Sequence, residues 1–243
     1  YTSISYFLVP TVLFCAYLRN RMYITNIWCR ENCQEGKGYS KVEKEYLRLL
    51  RELKSVSMAT VDGEGCPQVR IIDVMLVEDG ALYFCTARGK SFYEELIRTK
   101  KVAILGMTKE YQTIRLNGEA EKMKEQKYWV DRIFEENPVM NEVYPGMARY
   151  ILEPFRVKDG TIEYFDLNTH PIFREDTGIG TFTPLQKGFQ ITETCILCGS
   201  CEAVCPQKAI VCKDGNYVIG QEHCLHCGLC METCPAGAIV KRG

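Results

Sequence analysis

Apolar residues over positions 41–54 recur at helical spacing. Val42, Tyr46, Leu49, Leu50 and Leu53 fall on one face and charged residues on the rest, which predicts an amphipathic helix. The pattern then shortens to strand length. Residues 55–60 read as a strand and Asp62-Gly63-Glu64-Gly65 as a hairpin turn. Residues 68–77 read as one long apolar strand and 81–86 as the next. Ala87-Arg88-Gly89-Lys90 is a polar loop, and Ser91 is placed to cap a helix to about residue 98, with Glu94 in the capping-box position. Strands over 102–107 and 111–122 follow, then a helix over 126–137 stopped by Pro138. A last hairpin is expected from 150–157 and 161–167 through Lys158-Asp159-Gly160. Short antiparallel strands with helices at the margins predict a mainly β, α+β fold built on a small closed barrel.

Beyond residue 174 the pattern fades. Residues 175–187 are rich in Gly, Thr and Pro and read as a connector. Two copies of one cysteine run follow, Cys195-Ile-Leu-Cys198-Gly-Ser-Cys201-Glu-Ala-Val-Cys205-Pro206 and Cys224-Leu-His-Cys227-Gly-Leu-Cys230-Met-Glu-Thr-Cys234-Pro235, at an offset of 29 residues. Both read C-x2-C-x2-C-x3-C-P, the run that holds two 4Fe-4S clusters in bacterial ferredoxins, with the fourth cysteine of each run serving the other cluster. The expected sets are therefore Cys195, Cys198, Cys201 and Cys234 for one cluster, and Cys224, Cys227, Cys230 and Cys205 for the other. A zinc ribbon asks for paired C-x-x-C knuckles rather than triplets, and a disulfide scaffold asks for an oxidising compartment. Over residues 188–243 the chain closely resembles the two-cluster ferredoxins. His223 and His226 flank complete cysteine sets, so they are expected to tune the site rather than bind iron. Cys212 has no place in the motif and is expected to be a small buried residue.

The net charge of −1 over 243 residues and the lack of a basic stripe argue against a nucleic-acid partner. Eight of the fourteen cysteines are committed to iron, which points to a reducing cytoplasm and an anaerobic setting. The apolar run over 4–18 is shorter than a membrane span needs, is broken by Pro10, and carries Arg19 and Arg21 after it rather than before. Residues 1–38 therefore read as an N-terminal extension, with Met22 an alternative start. Its Cys29 and Cys33 stay unassigned.

The order helix, Ser-Met-Ala-Thr-Val-Asp-Gly, Pro-Gln-Val-Arg, Leu-Tyr-Phe-Cys-Thr-Ala-Arg-Gly-Lys-Ser, Lys-Lys-Val-Ala-Ile-Leu resembles the pyridoxamine 5′-phosphate oxidase-like FMN-binding split barrels. The resemblance covers roughly residues 40–170 and implies FMN at a homodimer interface. Carried over, it places the FMN phosphate at Lys90 and Ser91, with Arg88 as a second cation and Thr86 nearby. It places Arg70 and Ile71 along the flavin ring and Gln112 at its edge. The namesake's cluster for the substrate phosphate has no match at His170 or Arg174, so vitamin B6 oxidation is not expected. The expected layout is an extension (1–38), an FMN-binding split barrel (39–174), a linker (175–187) and a small α+β ferredoxin domain (188–243). The expected function is an FMN-dependent oxidoreductase passing electrons between two 4Fe-4S clusters and FMN to a small-molecule acceptor. The alternative is an electron-transfer or redox-sensing module docking to a protein partner.

Overall fold

The computed structural model describes residues 41–243, with side chains from Glu45 onward. The readings made on residues 1–38, including the apolar run and Cys29 and Cys33, lie outside the described residues. Helix α1 (Lys41–Leu53) buries Tyr46, Leu47 and Leu50. Eight antiparallel strands form one sheet: β1 (Ser55–Val61), β2 (Pro67–Asp73), β3 (Leu76–Glu78), β4 (Ala81–Ala87), β5 (Lys101–Met107), β6 (Gln112–Lys122), β7 (Leu152–Asp166) and β8 (Phe173–Ile179). Their order is β2-β1-β5-β6-β7-β4-β3, with β8 added beside β7.

The strand expected over 68–77 is in fact two, and they lie at opposite ends of that order. Only Val74 and Met75 join them, a reach of roughly 10 Å, so the sheet must curl until its ends approach each other. Every backbone polar group of this corner is used. Val74 donates to Lys54 (2.7 Å) and accepts from Arg51 (2.6 Å). Met75 donates to Tyr83 (2.8 Å) and accepts from the Asn137 amide (2.7 Å). A continuous apolar run cannot announce such a corner, because the break is made by distant partners rather than by Gly or Pro. The product is a curled half-barrel with β2, β3 and β8 as edges, in line with the mainly β, split-barrel architecture expected and open where a fully closed barrel would have no edge.

The second correction is at Lys158-Asp159-Gly160, which is not a turn. Strand β7 runs through it unbroken for 15 residues. It pairs with β4 through residues 152–157, with β8 through 160–166, and with β6 along most of its length. Gly160 is there for closeness. A Cβ on it would stand 2.3 Å from the Asn117 carbonyl oxygen, and one on Gly118 would stand 2.5 Å from that of Asp159. Strand β8 also continues to Ile179, so the first residues of the expected linker belong to the sheet.

Inside the curl, Met58, Leu82, Phe84, Ile104, Leu116 and Phe155 pack against α1 and against α2 (Ser91–Thr99). Helix α3 (Gln126–Glu136) buries Val130, Ile133 and Phe134 against Met75 and Leu152. A short helix, α4 (Met140–Val143), follows. The C-terminal unit pairs β9 (Gly188–Ile191) with β12 (Ile239–Arg242), and β10 (Ile210–Lys213) with β11 (Asn216–Ile219). Between them lie two one-turn helices, α5 (Ser200–Val204) and α6 (Leu229–Thr233). Cys212 is exposed, not buried. The two-stranded ribbon turns Ile210 inward and leaves Val211 and Cys212 without a covering layer. Among the described residues no helix is long and apolar enough to cross a membrane.

Candidate functional site

The C-terminal unit is a pseudo-twofold built by its backbone. Leu197 and His226, Gly199 and Gly228, and Lys208 and Gly237 all hold positive φ, each pair at the 29-residue offset. The tight loops let three cysteines of each run converge, and the following one-turn helix carries the fourth away. Two apolar-walled cavities result. One is lined by Cys195, Cys198, Cys201 and Cys234, the other by Cys205, Cys224, Cys227 and Cys230. These are the crossed sets expected from the spacing. The Ala209 amide donates to the Cys205 sulfur and the Ala238 amide to that of Cys234, both at 3.3 Å, and the His226 amide donates to Cys224 at 3.4 Å. Such N–H···S contacts stabilise thiolate charge on an iron–sulfur cluster. Among the described residues no three His, Cys, Asp or Glu side chains converge as a single metal ion would need. A four-iron cube asks for something else, four thiolates spread around a void with one for each iron. The donor sets therefore fit two 4Fe-4S clusters. Burial pushes the thiols of Cys201, Cys224 and Cys230 above their ordinary range, so loading iron must release protons.

A second site lies on the sheet. A cleft of about 840 Å3 runs between β2, the end of β4, the start of α2 and α4. Of the residues expected to hold FMN, Arg70, Ile71, Thr86, Lys90 and Ser91 line it. Lys90, not Ser91, is the N-cap of α2, and its side chain makes no capping bond. The Tyr93 N–H donates to the Lys90 carbonyl (2.9 Å). That leaves the Ser91 and Phe92 N–H groups uncapped by any side chain at the positive end of the helix dipole, beside the ammonium of Lys90 and the hydroxyl of Ser91. Thr86 is buried, and its hydroxyl has no partner within the protein. An orphaned hydroxyl beside an uncapped helix start is the arrangement a phosphate would complete.

Arg70 is fixed by three contacts. It donates to the Thr60 hydroxyl (2.6 Å), pairs with the Glu95 carboxylate (2.8 Å) and lies over the Phe92 ring. Thr60 donates to the same carboxylate. Glu95 balances the charge of Arg70, so the cleft's free positive charge comes from Lys90 and the helix end. Burial pushes the Cys85 thiol, also in the cleft wall, up to about 12. Thr60, Glu95 and Cys85 were not expected from the sequence. Glu95 did leave a signal, because it sits between Phe92 and Leu96 on the face that the helical period buries.

Two expected residues fall elsewhere. Arg88 pairs with the buried Glu153 (2.9 Å), which Lys122 also approaches (3.2 Å). Gln112 bonds Asp166 (3.0 Å) at the far end of β7. Neither lines this chain's cleft. His170 is exposed, and Arg174 faces the C-terminal unit.

Residues 42–150 match the family model for pyridoxamine 5′-phosphate oxidase, and residues 194–238 match that of the 4Fe-4S dicluster domain. A NimC/NimA family protein from Clostridium acetobutylicum aligns at 22% identity over 57% of this chain and 94% of its own, with a TM-score of 0.49. A general stress protein 26-related protein of the pyridoxinephosphate oxidase family, from the same organism, aligns at 13% identity over 55% and 94%, with a TM-score of 0.43. A pyridoxamine 5′-phosphate oxidase-related, FMN-binding protein from Nostoc punctiforme aligns at 14% identity over 59% and 94%, with a TM-score of 0.39. A search of curated proteins returned no match.

Proposed function

For a chain that joins a pyridoxamine 5′-phosphate oxidase-type domain to a 4Fe-4S dicluster domain, we propose the function of an FMN-dependent iron–sulfur oxidoreductase that reduces a small-molecule acceptor. The observation that carries this reading is a pairing on one polypeptide. Two cavities are each walled by four cysteines, and an open cleft ends on an uncapped helix start and an orphaned hydroxyl. The Lys90 ammonium, the Ser91 hydroxyl and the Ser91 and Phe92 N–H groups at the start of α2 would hold the FMN phosphate, and Thr86 would donate to it. Arg70, locked by Thr60 and Glu95, would present a fixed edge beside the ring. Bound FMN accepts one or two electrons while each cluster carries one, so the set converts single-electron supply into two-electron reduction. The Cys85 thiol stays protonated at neutral pH and is a neutral wall rather than a nucleophile.

The edge strand β2 exposes Val69 (70%) and Ile71 (67%) beside the cleft. An apolar pair on an unpaired edge suits coverage by a second copy of the chain, which supports a homodimer. Ile71→Glu should then yield monomer by light scattering and weaken FMN binding with it.

The test is anaerobic reconstitution followed by iron, sulfide and flavin analysis. About eight irons, eight sulfides and one FMN per chain are expected, with flavin reduced through the clusters. Absence of FMN overturns the reading. Cofactor loading without turnover of any small acceptor unless a second protein is added would favour the electron-carrier alternative.

A further inference from the structure

The two cluster sites are equivalent in their ligands but not in their surroundings. Among the described residues, three hydrogen bonds join the curled sheet to residues 188–243. The Ile172 amide donates to the Gln207 side-chain oxygen (3.1 Å). The Ile172 carbonyl bonds Nδ1 of His223 (2.9 Å). Arg174 donates to Nδ1 of His226 (3.2 Å). A carbonyl only accepts and a guanidinium only donates. His223 therefore carries its proton on Nδ1, while His226 accepts at Nδ1.

All three partners belong to one cluster site. Gln207 lies two residues after Cys205, His223 immediately precedes Cys224, and His226 lies between Cys224 and Cys227 and donates its own amide to the Cys224 sulfur. The pseudo-twofold gives the control. At the 29-residue offset the equivalent positions are Ala236, Thr194 and Leu197. Ala236 and Leu197 have no polar side chain to offer, Thr194 bonds only its neighbour Thr192, and Leu197 and Ile196 are exposed. The repeat is thus symmetric where it binds iron and asymmetric where it meets the sheet.

We infer that the Cys205, Cys224, Cys227 and Cys230 site is the inner, barrel-side station, and that Gln207, His223 and His226 are positioning residues through which Ile172 and Arg174 set its reduction potential. The inference rests on the reading that both sites hold clusters, and it names which of the two the barrel controls. The physical route is short. The Arg174 guanidinium, whose charge is partly balanced by Glu163 (3.6 Å), reaches the loop that wraps Cys224 through one imidazole. A donor or net positive field near a cluster favours its reduced, more negative form. The other site keeps only its own loop and faces outward.

The test gives each of the three positions the residue found at its equivalent in the other half: Gln207→Ala, His223→Thr and His226→Leu, together and singly. Iron and sulfide are measured first, and a wild-type chain without clusters overturns the functional reading and this one with it. Each cluster is then titrated electrochemically with electron paramagnetic resonance. Cys198→Ser and Cys205→Ser identify which signal belongs to which site. The expected result is a fall of about tenfold in the reduction equilibrium of the Cys205-dependent cluster, about 59 mV for one electron, with the Cys198-dependent cluster unmoved and iron content retained. His223→Asn keeps a donor toward the Ile172 carbonyl and should restore most of the shift caused by His223→Thr. If the triple variant fails to load iron, the single His226→Leu change carries the same expectation. Movement of the Cys198-dependent cluster, equal movement of both, or movement of neither overturns the inference.

Discussion

Lys90 stands where an uncapped helix start opens on the cleft, and its charge is the simplest part of the site to test. Lys90→Glu sets a carboxylate against a phosphate dianion among free N–H groups. Losing one charge-assisted contact costs about 1.5–3 kcal/mol, and reversal costs more. FMN affinity should fall at least about tenfold, while riboflavin, which lacks the phosphate, should bind as before and cluster content should stay intact. Flavin titration with both ligands decides it, and equal FMN affinity in the two proteins would leave Lys90 a solvated loop charge. The cysteines make a prediction of the same size. Cys198→Ser and Cys205→Ser alter residues of the same run, yet they line different cavities. Each should damage a different cluster, leaving the other and the flavin in place. Spectra in which both substitutions strike one cluster would refute the crossed sets.

At the scale of elements, β7 pairs with β4, β6 and β8, and at Gly160 it leaves no room for a Cβ against β6. A single methyl there meets a backbone oxygen that cannot move aside. Gly160→Ala should cost about 1–3 kcal/mol, lowering Tm by several degrees for a chain of this length. Gly89→Ala, where an added Cβ meets nothing, should leave Tm unchanged. An unaltered Gly160→Ala melting curve would show that the strands separate there at little cost. The segment after β8 is held by charge. Glu163 on β7 receives Lys187 (2.7 Å), Arg115 (3.5 Å) and Arg174 (3.6 Å). Burial alone would push its carboxyl up, but these cations more than reverse that and hold it below the ordinary range. A depressed carboxyl contributes stability that is present above its unfolded pKa of about 4.3 and is lost as pH falls through the folded value. Protease cleavage between residues 180 and 187 should therefore rise below about pH 4, and Glu163→Gln should show the fast cleavage already at neutral pH.

For the whole molecule, the two cores differ in what maintains them. The sheet's core is aliphatic and aromatic, while that of the C-terminal unit contains Cys201, Cys224 and Cys230 beside Phe189, Ile210 and Ile239. Where ligands double as core, metal binding is coupled to folding. Oxidative removal of iron with a chelator should unfold residues 188–243 and leave the sheet folded. Limited proteolysis would then release a stable fragment ending near residue 180, and resistance of the C-terminal unit would contradict the coupling. The sequence by itself determined what is local. Cysteines on short loops are brought together locally, so the spacing alone grouped the four that line each cavity. Helical or alternating periods were enough to find the three long helices and the strands up to residue 167, though not β8 or the short strands and helices beyond it. The loop before α2 was legible for the same reason, since a helix start and its neighbouring cation lie within a few residues. What only the tertiary structure decided depends on partners far apart in the chain. The corner at Val74 and Met75 is made by Arg51, Lys54, Tyr83 and Asn137. Gly160 looked like a turn because closeness to another strand and a bend in its own demand the same residue. The locking of Arg70 by Thr60 and Glu95 depends on β1 and α2 being brought to β2. The facing of one cluster site toward the sheet could not be read from two near-identical cysteine runs, because it is set by Ile172 and Arg174, which reach the C-terminal unit only once the chain has folded back on itself.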